Sequence, residues 1–229
     1  LDAANGHVVI ASPNTSKLYV DGTVHTYTFG GIGKISGEST KGTRCVATIY
    51  GDNLYFLFNA SGIVIDLFNS GDQIGLGIMD LTSPTLATTS YSNIITSTGN
   101  PEDGEPIYPA TITVVNGTHV AIGGGLSYAY SDPTNYASYK STRRPCVWLY
   151  NLTANTVTSY VSADARITDY AGWRGQTADG TYIDYCHLTV GCGLASTKLI
   201  MLLDVGYRTI SGGSTTYTDV QWLEGLDVV

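Results

Sequence analysis

Lys17-Leu18-Tyr19-Val20-Asp21-Gly22-Thr23-Val24-His25-Thr26 is the stretch from which the fold class follows. Asp-Gly between two runs of β-branched and aromatic residues marks a two-residue type I′ turn, because both central positions need positive φ. The register is then fixed, with Val20 facing Thr23 and Leu18 facing His25. One side of the ribbon carries Leu18, Val20, Thr23 and His25 and continues through Tyr27 and Phe29; the other carries Tyr19, Val24, Thr26 and Thr28. Neither side is cleanly apolar or polar, so both are expected to contact other protein.

Outward from this ribbon, Asn116-Gly117 and Asp179-Gly180 sit between similar runs and predict two more hairpins. Val115 should face Thr118 across the former, and Thr113 should face Val120. Further strands are expected at Val8–Ala11, Cys45–Tyr50, Leu54–Phe58, Ile63–Phe68, Ile74–Met79, Val147–Asn151, Thr156–Val161, Tyr182–Cys186, Leu199–Asp204 and Thr216–Leu223. No window keeps a helical apolar rhythm, and only a short helical turn near Asn135–Lys140 is expected. Two stretches read as long loops, Thr82–Pro109 and Ser127–Pro145, the second bearing Tyr128, Tyr130, Tyr136 and Tyr139. Within the first, Ser90–Thr96 is an alternative edge strand.

The fold class predicted is all-β: an antiparallel β-sandwich of jelly-roll or immunoglobulin-like type. Residues 1–17 read as an N-terminal strand or arm that could exchange with a neighbouring subunit, and residues 18–229 as a single all-β domain. The alternative is a small β-propeller. His119-Val120-Ala121-Ile122-Gly123-Gly124, followed later by Val147-Trp148-Leu149-Tyr150 and a turn, resembles one blade of a kelch-type propeller. The pattern does not recur at the ~50-residue kelch period.

Composition limits what the chain can do. Charged residues make up 13% of the sequence, against a typical ~25%, so the surface must be built from Ser, Thr, Tyr and Gly. A net charge of −8, with Arg143-Arg144 as the only basic doublet, excludes the phosphate-neutralising surface that nucleic acid requires. No run approaches the ~20 apolar residues of a membrane-spanning helix. The chain opens at Leu1 without the basic and apolar regions of a signal peptide, which suits a precursor already processed for secretion.

Secretion also suggests disulfides. Cys186 and Cys192 are spaced to close a hairpin over Leu188-Thr189-Val190-Gly191, leaving Cys45 to pair with Cys146. Asn14, Asn59, Asn116 and Asn151 each open an N-x-Ser/Thr sequon and are glycosylation candidates.

Catalytic signatures are missing where each chemistry would need them. Gly30-Gly31-Ile32-Gly33-Lys34 lacks the earlier Gly and following hydroxyl of a phosphate loop. His7, His25, His119 and His187 are scattered, with no paired zinc spacing. The acidic turn holding Glu102, Asp103 and Glu105 offers hard oxygen ligands and is the one Ca2+ candidate. Trp148 and Trp222 belong to apolar strands and are expected in the core. Trp173, between glycines and next to Arg174 and Tyr170, is the exposed aromatic best suited to stack on a sugar, with Tyr128 and Tyr130 as companions.

The function expected is therefore structural: a non-enzymatic subunit of an extracellular or viral assembly that associates with copies of itself. A secreted carbohydrate-binding module or adhesin is the alternative, with glycans as partner, and a secreted hydrolase ranks third.

Overall fold

A computed structural model describes residues 2–4, 6–12, 17–26, 46–59, 73–83, 90–96, 105–130, 140–168, 179–192 and 196–228. Its first sheet contains β1 (Asp2–Ala4), β2 (His7–Ser12), β3 (Lys17–Val20) and β4 (Thr23–Thr26). The second contains β5 (Ala47–Tyr50), β6 (Asn53–Asn59), β7 (Gln73–Asp80) and β8 (Ser90–Thr96). The third contains β9 (Glu105–Val115), β10 (His119–Tyr130), β11 (Lys140–Asn151) and β12 (Thr156–Val161). A helical turn α1 (Ala165–Thr168) precedes the fourth sheet of β13 (Gly180–Cys192), β14 (Lys198–Ser211) and β15 (Ser214–Asp227). The protein is nearly all β, as expected, but in four antiparallel sheets.

In every sheet the hydrogen-bonded neighbours are consecutive in sequence. Jelly rolls and immunoglobulin folds need Greek-key returns, and the described strands make none. The arm expected over residues 1–17 supplies β1 and β2, and β2 is paired on both sides, with β1 and β3. Ile63–Phe68 and all but the last residue of the helical turn expected at Asn135–Lys140 lie outside the described residues, and Lys140 opens β11.

Turn chemistry explains where strands reverse. Asp21 and Gly22 have φ of 49° and 85°, and Leu18 pairs with His25 and Val20 with Thr23, as the sequence predicts. Asn116 and Gly117 also have positive φ, 48° and 66°. There Thr118 is an added loop residue, so Val115 pairs with His119 and Thr113 with Ala121, one position from the expected register. Asp179-Gly180 forms no tight hairpin: Gly180 opens β13 and pairs with Ile210. The reversal nearby is Gly212-Gly213, φ 56° and 78°, whose Gly212 N–H donates to the Asp179 carboxylate at 3.1 Å.

Both presumed loops contain strand. Ser90–Thr96 is β8, and Glu105–Ala110 belongs to β9. The Tyr-rich insert likewise shrinks, because β10 runs to Tyr130 and β11 starts at Lys140.

Packing places the core between sheets. Tyr55, Leu57 and Leu76 of the second sheet meet Ile112, Val114, Val120, Ile122, Trp148 and Tyr150 of the third. The opposite face of the third sheet, through Val115, Ala121 and Val147, meets Leu188, Val190, Leu199, Met201, Leu203 and Val205 of the fourth. Alternation along β10 sends even-numbered residues to one neighbour and odd-numbered residues to the other. Gly123 is small for this reason: a Cβ there would stand 2.7 Å from Leu188 Cδ2 and 2.7 Å from Thr111 Oγ1.

Candidate functional site

Among the described residues, the fourth sheet carries the two most exposed large apolar side chains, Tyr217 and Leu223. Along β14 the side chains alternate, so Leu199, Met201, Leu203 and Val205 are buried against the third sheet while Ile200 and Leu202 face out. Register then sets Leu223 beside Leu202 and Tyr217 beside Arg208, on the same outward face. Leu223 is 67% exposed and Tyr217 68%. The first sheet repeats the arrangement: Val9 and Val20 are buried, while Ile10, Tyr19 and Val24, aligned across β2, β3 and β4, are exposed with Val8.

The buried face of β15 meets the third sheet through a polar network at the rim. Glu224 accepts from the Trp222 indole at 2.8 Å and from the Ser162 hydroxyl at 2.7 Å, with Tyr160 Oη at 3.4 Å. Arg166 lies over the Trp222 ring, 3.9 Å from its centroid, and grips Asp164 with Nε at 2.8 Å and a terminal nitrogen at 2.7 Å. Hydrogen bonds from Arg166 hold the Asp164 carboxyl down at about 2. Burial, with the Glu224 charge beside it, pushes the Tyr160 phenol up. Tyr207 closes the cluster by donating to the Arg166 carbonyl at 2.5 Å. These groups are committed to one another, so the arrangement locks β12 and α1 to β14 and β15. Trp222 and Glu224, two residues apart on β15, share one strand face.

A second cluster joins the first two sheets. His7 Nδ1 is 2.8 Å from Asp21 and His7 Nε2 is 3.5 Å from Asp52, in the turn between β5 and β6. The Asp21 hydrogen bond raises the His7 pKa. Asp21 is lowered in turn, first by the Val8 N–H and then by His7.

Among the residues singled out from sequence, Trp148 and Trp222 are buried as expected. Tyr170, Trp173 and Arg174 lie outside the described residues, as do Glu102, Asp103, Cys45 and Asn14. Tyr128 and Tyr130 sit in β10, Glu105 opens β9 and Asn59 ends β6. Asn116 is exposed at its turn. Asn151 is engaged: its Oδ1 accepts from Thr153 and Ala154 N–H at 2.9 and 2.8 Å, and its Nδ2 donates to His119.

The disulfide expectation is corrected. Cys186 and Cys192 do not flank a hairpin but lie on one continuous strand, paired with Val205 and Leu199. Six residues of strand span about 20 Å, beyond any S–S bond. Cys192 is a free thiol whose Sγ contacts the Val114 carbonyl at 2.9 Å. Cys146 is also free, so it makes no bond to Cys45, and burial pushes its thiol up to about 12.

Among the described residues, no helix is long and apolar enough to cross a membrane, and no three His, Cys, Asp or Glu side chains gather as metal ligands. No family model, curated protein or solved structure matches this chain.

Proposed function

We propose that this chain is a structural subunit that self-associates through its exposed sheet surfaces, as a coat, filament or surface-layer component outside the cell or on a virion. One observation carries the reading. Strands of the second and third sheets bury side chains on both faces, Leu54 to Leu57 in β6 and Val120 to Ile122 in β10, whereas the first and last sheets each turn an apolar face outward, Val8, Ile10, Tyr19 and Val24 on one and Ile200, Leu202, Tyr217 and Leu223 on the other. Apolar faces of this kind mark contact surfaces.

The finer architecture in this reading is an open arc of propeller blades. The four meanders follow one another, and their first strands touch in order, β1 with β5, β5 with β9 and β9 with β13. The carbohydrate-binding alternative rests on Trp173, Arg174 and Tyr170 and gains nothing from the described residues.

Sedimentation velocity across a concentration series tests the reading, with negative-stain microscopy of the heaviest species. Mass that rises with concentration, and falls in a Leu202→Lys variant, is the expected outcome. A monomer at every concentration overturns it.

A further inference from the structure

Among the described residues, the first three sheets have four strands each and the fourth has three, with β15 at its edge. That edge is 14 residues long, and its first eight residues, Ser214 to Gln221, are exposed or half-buried. Natural edges are blunted with Lys, Pro or bulges. β15 reads Ser214-Thr215-Thr216-Tyr217-Thr218-Asp219-Val220-Gln221-Trp222-Leu223-Glu224-Gly225-Leu226-Asp227, with no Lys, Arg or Pro. Its pairing with β14 runs from Ser214 to Asp227 without a register shift.

We propose that β15 pairs antiparallel with β15 of a second copy, about a two-fold axis at Val220, joining the two fourth sheets into one. The inference rests on the self-association reading and names one contact within it, the one that makes a dimer.

Sequence and register select both the occupant and the axis. Two copies of one strand can pair antiparallel only about a residue, because directly opposed side chains must lie on the same face of the sheet. Centring on Asp219 sets that carboxylate against itself. Centring on Gln221 places Asp219 against Leu223, and centring on Trp222 places Tyr217 against Asp227. Centring on Val220 sets Tyr217 of each copy opposite Leu223 of the other, twice, on the outward face where these are the two most exposed large apolar side chains described. In that register Asp219 faces Gln221, Glu224 faces Thr216 and Asp227 faces Gly213, so no carboxylate opposes another. Aromatic and aliphatic side chains opposed across antiparallel strands stabilise the pair. The contact is isologous, and it stops at two copies.

Three measurements on the full chain test this. Val220→Cys should give a disulfide-linked dimer on mild oxidation, because the axis sets residue 220 against its own copy; Thr215→Cys, opposite Gly225, should not exceed the wild-type background. Tyr217→Lys with Leu223→Lys places Lys opposite Lys twice and should weaken dimerisation at least tenfold, with circular dichroism and urea midpoint unchanged. Amide exchange in residues 214–227 should slow as protein concentration rises. A dimer that survives the Lys pair at the same affinity overturns the proposal, as does an association without the Val220→Cys crosslink, and in both cases the self-association reading stands. A chain monomeric throughout overturns both. If the Lys variant fails to fold, the crosslink and the exchange data decide.

Discussion

The third and fourth sheets use the same kind of strand and differ in what covers them. The start of β10 is buried on both faces because a sheet lies on each side, and Val120, Ala121 and Ile122 are wholly enclosed. β14 is equally apolar, yet from Leu199 to Leu203 only every second residue is enclosed, Leu203 at 0% exposure and Leu202 at 39%. Hydrophobic sequence alone therefore does not say which sheet is interior. The difference shows that an apolar strand face belongs to the core only when a neighbouring sheet reaches it, and that an uncovered one is available for association.

The sharpest way to break this comparison is to truncate adjacent residues. Leu203→Ala should cost about 2–5 kcal/mol, the range for an enclosed leucine, while Leu202→Ala should change stability by under ~1 kcal/mol. Equal shifts in urea midpoint would mean that β14 is not one-sided. Gly123→Ala probes the spacing between the two sheets. Its Cβ would press on Leu188, Thr111 and Val190, and overpacking of this kind costs about 1–3 kcal/mol; thermal unfolding of the variant measures it.

Glu224→Ala should leave the Trp222 N–H and the buried Ser162 hydroxyl without their acceptor, at a cost of about 1–3 kcal/mol for an unsatisfied buried group. The paired variant Trp222→Phe should lose less when added to Glu224→Ala than alone, a coupling that a double-mutant cycle reads. Additive losses would show that the rim network does not bind the sheets as a unit.

The smallest effect belongs to the His7 clasp. A histidine whose folded pKa is raised contributes stability fully below its ordinary 6.5, and loses it as pH rises through the raised value. Asp21 is lowered, so its part is present above the ordinary 3.8 and disappears as pH falls. The stability gap between wild type and His7→Ala should therefore be widest between about pH 4 and 6.5. A gap of the same size at pH 5 and pH 9 would remove the ion pair as its cause.

Local turn chemistry was the legible part of this fold. Asp21-Gly22 gave both turn type and register, since two positive-φ positions leave one alignment. Asn116-Gly117 gave the turn but not the register, because nothing in the residue types signals that Thr118 adds to the loop. Asp179 was misread for a related reason: Asp-Gly is also used where the aspartate caps a different turn, here at Gly212. The cysteine pairing failed because a glycine at 191 looked like a reversal and is a strand interior. Sheet order was only half legible. Strand-by-strand adjacency follows from short connections, while the stacking of one meander on the next depends on faces that look alike in sequence. Of the site, Trp222 was legible as core, but the Glu224 and Arg166 network was not, since its members come from three separate segments.

The consecutive order of strands has a consequence for how the chain acquires its structure. Each sheet is closed by connections within its own stretch of sequence, so its hydrogen bonds form without bringing distant segments together, and loop-closure entropy is small. A nascent chain can complete its first sheet before the second has left the ribosome, and each finished sheet offers an apolar template for the next. Among the described residues the fourth sheet ends on the longest edge strand, most of it open to solvent.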